Sequence, residues 1–216
     1  MTLVLGTNCG FVTVAPTGDP LASSFKIDTR SFVLKHTSPS TAVKITEIGW
    51  YDDTAGTEEA NFEVGLYDSD GADGIAGTRL FVDATNAKGT SGGWHAVTGL
   101  DWTITGDHIY WIGVQLDDTA TQTDTYIATT GGEGLDLKTD TTLPDPYGGG
   151  ALAGADDVAA IYAVWEAAAG GTATQINIAD AWKSIAGMQI NIGDSWKAVA
   201  SAQINIGDAW KAVVFA

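Results

Sequence analysis

Residues 175–216 carry one phrase three times. Gln175-Ile176-Asn177-Ile178-Ala179-Asp180-Ala181-Trp182-Lys183-Ser184-Ile185 recurs from Gln189 to Val199 and from Gln203 to Val213, a period of 14 residues. A unit this short cannot enclose its own apolar residues, so the copies must pack on one another or on another chain. Within each copy Gln-Ile-Asn-Ile has the pattern of a strand, the Ala/Gly-Asp pair that of a tight turn, and the Trp-Lys segment that of the returning strand. A two-residue turn sets Ile178 opposite Ala181, Asn177 opposite Trp182 and Ile176 opposite Lys183. One face then holds Ile, Ala and the Lys stem, and the other Gln, Asn and Trp. Three such hairpins in a row predict a six-stranded meander. At roughly 40 residues it is marginal alone, which favours docking or oligomerisation.

The repeats hold three Asp and three Lys and are neutral, so the net charge of -17 belongs entirely to the first 174 residues. An acidic surface of that size repels nucleic acid and anionic membranes, and neither is expected as a partner. Cys9 is the only cysteine, which rules out an intrachain disulfide and any cysteine-based metal site. Met1 to Gly6 lacks a basic n-region and a sustained apolar core, so no Sec signal is read there. No apolar run reaches membrane-spanning length. The expectation is a protein made and left soluble in a cytoplasm, unless it leaves by lysis or a specialised route.

Four segments are expected. Residues 1–24 read as an N-terminal arm ending in the turn-forming Pro16-Thr17-Gly18-Asp19-Pro20. Residues 25–166 read as strands and turns. Phe62, Val64 and Leu66 alternate with Glu63 and Gly65, the mark of a half-buried strand. His108–Leu116 is apolar on both faces, as a central strand is. No long amphipathic helix is read anywhere, so the fold class expected is all-β: an antiparallel, jelly-roll-like β-sandwich. Residues 167–174, small and featureless, read as a linker to the hairpin repeats of 175–216.

Two stretches resemble known proteins. The phrase Gln-Ile-Asn-Ile-Gly-Asp-Ala-Trp-Lys-Ala-Val resembles short C-terminal repeats of tail-fibre, minor tail and other virion proteins of tailed bacteriophages. Ile45–Trp50, Val64–Gly71, Trp94–Val97 and Tyr110–Gln115 follow the order of strands in jelly-roll modules of phage and extracellular bacterial proteins. The resemblance implies a virion or surface-display protein, a fibre, minor tail or decoration component. Its partners would be other virion proteins and further copies of itself, with a trimer as the first expectation. A host surface glycan is the further partner that such a role implies.

Residues that could carry chemistry are few. Asp68, Asp70 and Asp73 sit in a Gly-rich loop that could supply oxygen ligands to calcium, although Arg79 stands where an EF-hand has its closing Glu. The plainer reading is a solvated hairpin loop. Asp52-Asp53 and Glu58-Glu59 form a second acidic loop that either completes such a site or is solvated. His36, His95 and His108 lack the spacing of a zinc site and are expected to satisfy local hydrogen bonds. No nucleophile elbow, phosphate loop or dinucleotide fingerprint is present, and no enzymatic activity is expected. Trp50, Trp94, Trp102, Trp111 and Trp165 are expected to pack in the core or on sheet faces. Trp182, Trp196 and Trp210, with Lys183, Lys197 and Lys211 beside them and Ile176, Ile190 and Ile204 on the other face, are the expected assembly contacts. A glycan-stacking ladder is the alternative.

The sequence therefore points to a non-enzymatic structural protein on the outside of a tailed-phage virion, assembled through its C-terminal repeats. A carbohydrate-binding adhesin module, stabilised by calcium, is the second reading. An acid-pair hydrolase is the third.

Overall fold

The structure, a computed structural model, describes the backbone of residues 2–20, 23–26, 30–53, 61–116, 122–127, 135–139, 141–148, 151–152, 157–168 and six strands within 174–213. Side chains are described for 2–20, 30–53, 61–116, 141–148 and 158–168. Two compact units emerge, Met1–Ala167 and Ala168–Ala216.

In chain order the strands of the first unit are β1 (Gly10–Val12), β2 (Ser23–Lys26), β3 (Arg30–Thr37), β4 (Ala42–Asp52), β5 (Asn61–Asp68), β6 (Arg79–Ala87), β7 (Gly93–Thr103), β8 (Ile109–Leu116), β9 (Gln122–Ile127), β10 (Leu135–Thr139), β11 (Ala151–Leu152), β12 (Asp157–Ala159) and β13 (Ile161–Ala167). They form two sheets. The first runs β1-β13-β4-β9-β12, with β7 also on β4 and β2 on β9; the second runs β11-β10-β3-β8-β5-β6. Successive strands pass repeatedly from one sheet to the other, which layers the chain as an all-β sandwich. Among the described residues no helix is long and apolar enough to cross a membrane.

Alternation along the strands sets the layers. Phe32 and Leu34 of β3, Phe62, Val64 and Leu66 of β5, and Ile112 and Val114 of β8 face Ile45, Ile48 and Trp50 of β4 across the main core. The intervening Val33, Tyr67 and Trp111 point to the other side of the second sheet. There they form a smaller core with Leu143 and Tyr147. β8 lies between β3 and β5 and is buried along almost its whole length, which is why its sequence is apolar on both faces. A strap over residues 141–148 covers its outer side. Tyr147 Oη lies 2.9 Å from Ser31 Oγ, Tyr67 donates to the Pro144 carbonyl at 3.0 Å, and the Arg79 guanidinium donates to the Leu143 carbonyl. Trp50 and Trp111 are fully enclosed, while Trp94, Trp102 and Trp165 pack half-buried against the main core.

The lead-in differs from the arm expected over residues 1–24. β1 pairs in parallel with β13, Gly10 opposite Tyr162 and Val12 opposite Val164, and Leu3, Cys9, Phe11 and Val12 are buried. Burial pushes the Cys9 thiol up to about 12, leaving it a small apolar side chain rather than a nucleophile. Further on, Trp94 Nε1–H donates to the Gly18 carbonyl at 2.8 Å, which ties the lead-in to β7. A parallel partner some 150 residues away leaves no local mark in the sequence.

Gly10 is a position where only glycine serves. Its φ is +68°, and a Cβ there would collide with the His36 ring. That ring is held by Phe11, whose N–H donates to His36 Nδ1 at 2.9 Å and whose own ring stacks on it at 5.8 Å. His36 must be neutral at Nδ1 to accept this bond, and burial lowers its pKa from 6.5. Between that lowered value and 6.5 the unfolded chain binds more protons than the folded one, so this contribution is intact above 6.5 and is lost as pH falls below it. The protection factor of the Phe11 amide, which divides out the intrinsic slowing of exchange in acid, should therefore fall on mild acidification. In His36→Gln, whose amide oxygen can accept without titrating, that fall should vanish.

Candidate functional sites

The second unit holds the repeats as three hairpins: β14 (Thr174–Ile178) with β15 (Ala181–Ile185), β16 (Gln189–Ile192) with β17 (Ser195–Ala198), and β18 (Ala202–Ile206) with β19 (Ala209–Val213). The register is that of a two-residue turn in every copy. Asn177 is opposite Trp182, Asn191 opposite Trp196 and Asn205 opposite Trp210. Ile176, Ile190 and Ile204 stand opposite Lys183, Lys197 and Lys211. Opposed residues in an antiparallel ladder share a face, so each hairpin carries Trp with Asn on one side and Ile with Lys on the other. The contacts of these side chains lie outside the described residues. The six-stranded meander is not formed among the described residues: each hairpin is its own two-stranded sheet. A lone two-stranded sheet is at best marginally stable in water.

Asp68, Asp70 and Asp73 do not converge. Asp68 Oδ1 accepts from Ser69 N–H at 2.7 Å and lies 2.8 Å from His108 Nε2. Asp70 turns its carboxylate onto Thr78, taking the backbone N–H and the hydroxyl at 2.6 Å each, and these bonds hold its pKa below the usual carboxylate range. Asp73 adopts a φ of +57° in a 3-10 turn over Ala72–Gly74. The loop is closed by Gly71 N–H to the Ile75 carbonyl and Gly77 N–H to the Asp68 carbonyl. Among the described residues no group of three or more His, Cys, Asp or Glu side chains is placed to hold a metal ion. The carboxylates close a hairpin loop here, as short polar side chains commonly do. Of the second acidic loop, Glu58-Glu59 lies outside the described residues.

Asp52 departs most from expectation. Instead of lining a solvated loop it points inward from the end of β4 and is 1 % exposed. Lys88, at the start of the connection from β6 to β7, brings its ammonium to 3.5 Å from Asp52 Oδ2, with both side chains wholly enclosed. His95 of β7 sits opposite Trp50 of β4, its Nε2 3.8 Å from the same oxygen and its ring stacked on the indole at 4.8 Å. One ion pair therefore ties the end of β4, in the first sheet, to the segment leaving β6, in the second. Nothing in the sequence marks Lys88, since the partners are 36 positions apart.

On the outer face of the first sheet the Tyr162 ring lies over Gly49, where a Cβ would come within 2.5 Å of it. Its hydroxyl donates to Glu47 Oε1 at 2.5 Å. Trp94 stands edge-on to Tyr162 at 5.3 Å and to Tyr51 at 5.1 Å, and Trp94 and Tyr51 both remain half-exposed. No family model matches the chain, and neither the curated proteins nor the solved structures contain a match to it.

Proposed function

We propose that this chain is a non-enzymatic structural protein of a tailed-phage virion, displayed on the particle exterior and assembled through its C-terminal repeats. The observation that carries the reading is the triplicated hairpin of identical register, each copy its own two-stranded sheet. Such a sheet offers unpaired edges and two decorated faces, and it gains stability by stacking on further copies. The rows of Trp182, Trp196 and Trp210 and of Ile176, Ile190 and Ile204 are the groups through which copies would meet, and a trimer is the state that the resemblance to fibre proteins favours. The neutral repeats avoid the mutual repulsion that the acidic sandwich, carrying the net charge of -17, would impose at a contact between copies. The sandwich is then the displayed part. Its buried polar groups tie strands and loops together, as Tyr147 with Ser31 and Lys88 with Asp52 do.

The experiment is to label purified particles of the encoding phage with an antibody raised against the sandwich. Decoration at one defined place on the particle supports the reading. Particles that carry neither label nor the polypeptide sink it.

A glycan-binding adhesin remains the second reading. It is favoured by the partly exposed Trp94 and Tyr51 on the outer face of the first sheet, since aromatic faces stack on sugar rings. Glycan-array binding that is lost in Trp94→Ala would support it.

A further inference from the structure

Residues 2–9 close on themselves before the chain reaches β1. Val4 N–H donates to Asn8 Oδ1 at 2.6 Å, Asn8 Nδ2–H to the Thr2 carbonyl at 2.9 Å, and Gly6 N–H to the Cys9 carbonyl at 2.9 Å. This loop joins the first sheet through β1, a strand of three residues in parallel with β13. Phe11 turns its N–H the other way, to His36 Nδ1 of β3 in the second sheet. The segment is thus tied to both sheets. Beyond β1, Thr13 and Val14 are exposed, Val14 at 73 %, and leave room for it to swing.

The tie to the second sheet depends on a lone pair. Nδ1 accepts, so the proton of the neutral ring sits on Nε2; a protonated imidazole carries N–H at both nitrogens and offers no acceptor in any orientation. The ring has little room to turn aside. One face stacks on Phe11 at 5.8 Å, and a Cβ on Gly10 would fall 2.3 Å from Nδ1. Protonation therefore sets two donors against each other across 2.9 Å. Titratable groups flanking the ring are Cys9, beside Gly10, and Tyr110, opposite His36 in the β3–β8 ladder. His108, 4.6 Å from Tyr110, is engaged with Asp68, and Lys35 lies over Trp111. Burial is the cause of the lowered pKa of His36.

We infer that His36 is an acid-sensitive latch, whose protonation releases residues 2–12 from the sandwich as one segment while the two sheets stay folded. The opening equilibrium rises about tenfold for each pH unit below 6.5, and it levels off where the ring of the closed form is itself protonated. Opening bares Leu3, Cys9 and Phe11, all buried in the closed form. The later part of the lead-in remains held, through the Gly18 carbonyl on Trp94.

Cys9, the only cysteine and wholly buried, reports the opening. The full chain is treated with a dipyridyl disulfide, which stays reactive in acid and exchanges with the thiol to leave a mixed disulfide and a free thiopyridine. Each rate is divided by that of the urea-unfolded chain at the same pH, which leaves the opening equilibrium. Expected is a ratio that rises about tenfold per pH unit below 6.5 before levelling, and that stays flat over the same interval in His36→Gln. His36→Leu, with no acceptor at any pH, should show the raised ratio already at neutral pH, with the amides of β8 still protected. A ratio independent of pH in the unaltered chain overturns the inference. So does an equal rise in His36→Gln, or loss of β8 protection in step with the thiol.

Discussion

Lys88→Met should destabilise the sandwich by about 3–5 kcal/mol, because it removes the ammonium that stands 3.5 Å from the enclosed Asp52 carboxylate. Both side chains are fully enclosed, so solvent cannot move in to replace the lost ammonium without opening the junction. Against a total stability of about 5–15 kcal/mol this is a large fraction. The companion expectation separates the pair's net worth from the cost of breaking it. Asp52→Leu combined with Lys88→Met should cost much less than Lys88→Met alone, since apolar groups of similar volume need no counter-charge. Amide exchange in β4, β8 and β13 reads both effects on the sandwich itself, whatever the assembly state of the chain. Equal losses in the single and double variants would mean that the pair is not the element holding this junction.

Tyr147→Ala should be of similar size, about 3–5 kcal/mol, by emptying the small core on the outer side of the second sheet. Tyr147 is fully buried, stands edge-on to Tyr67 at 5.1 Å, and is bonded through its hydroxyl to Ser31. Once it is gone the strap over residues 141–148 loses its deepest anchor, and Trp111 and Tyr67 meet water. Increased binding of a hydrophobic dye should accompany the loss of stability. Tyr147→Phe keeps the ring and removes only the hydroxyl contacts, so its cost should be about 1 kcal/mol. If the two variants cost the same, the strap is held by its other bonds, from Arg79 and Glu63 to Leu143.

These two sites divide according to what a sequence can disclose. Alternation in β5 and continuous apolarity in β8 are local properties, and they lead directly to a half-buried strand and a central one. The hairpin register is equally local, because turn length alone sets which residues face each other. Pairing at long range leaves no such trace. Gly10-Phe11-Val12 is too short to announce itself as a strand, and its partner β13 comes at the far end of the unit. Asp52 beside Asp53 has the composition of a solvated loop, yet β4 runs on to Asp52 and points it inward with Trp50 and Ile48. The loop of Asp68, Asp70 and Asp73 was ambiguous for a related reason. Carboxylates and glycines in a tight turn are equally what calcium and backbone N–H groups require, and here Thr78 and Ser69 take the carboxylates. The meander is not formed among the described residues, because identical repeats specify the pairing inside a copy and say nothing about pairing between copies.

The central claim is that the repeats assemble the chain, and solution mass by light scattering tests it most directly. The full-length protein is measured beside a chain ending at Gly170. The account predicts a stable oligomer for the full chain, with a mass that is a whole multiple of 22.4 kDa, and a monomer for the shortened one. A monomeric full chain, or an oligomer that survives removal of the repeats, would contradict it.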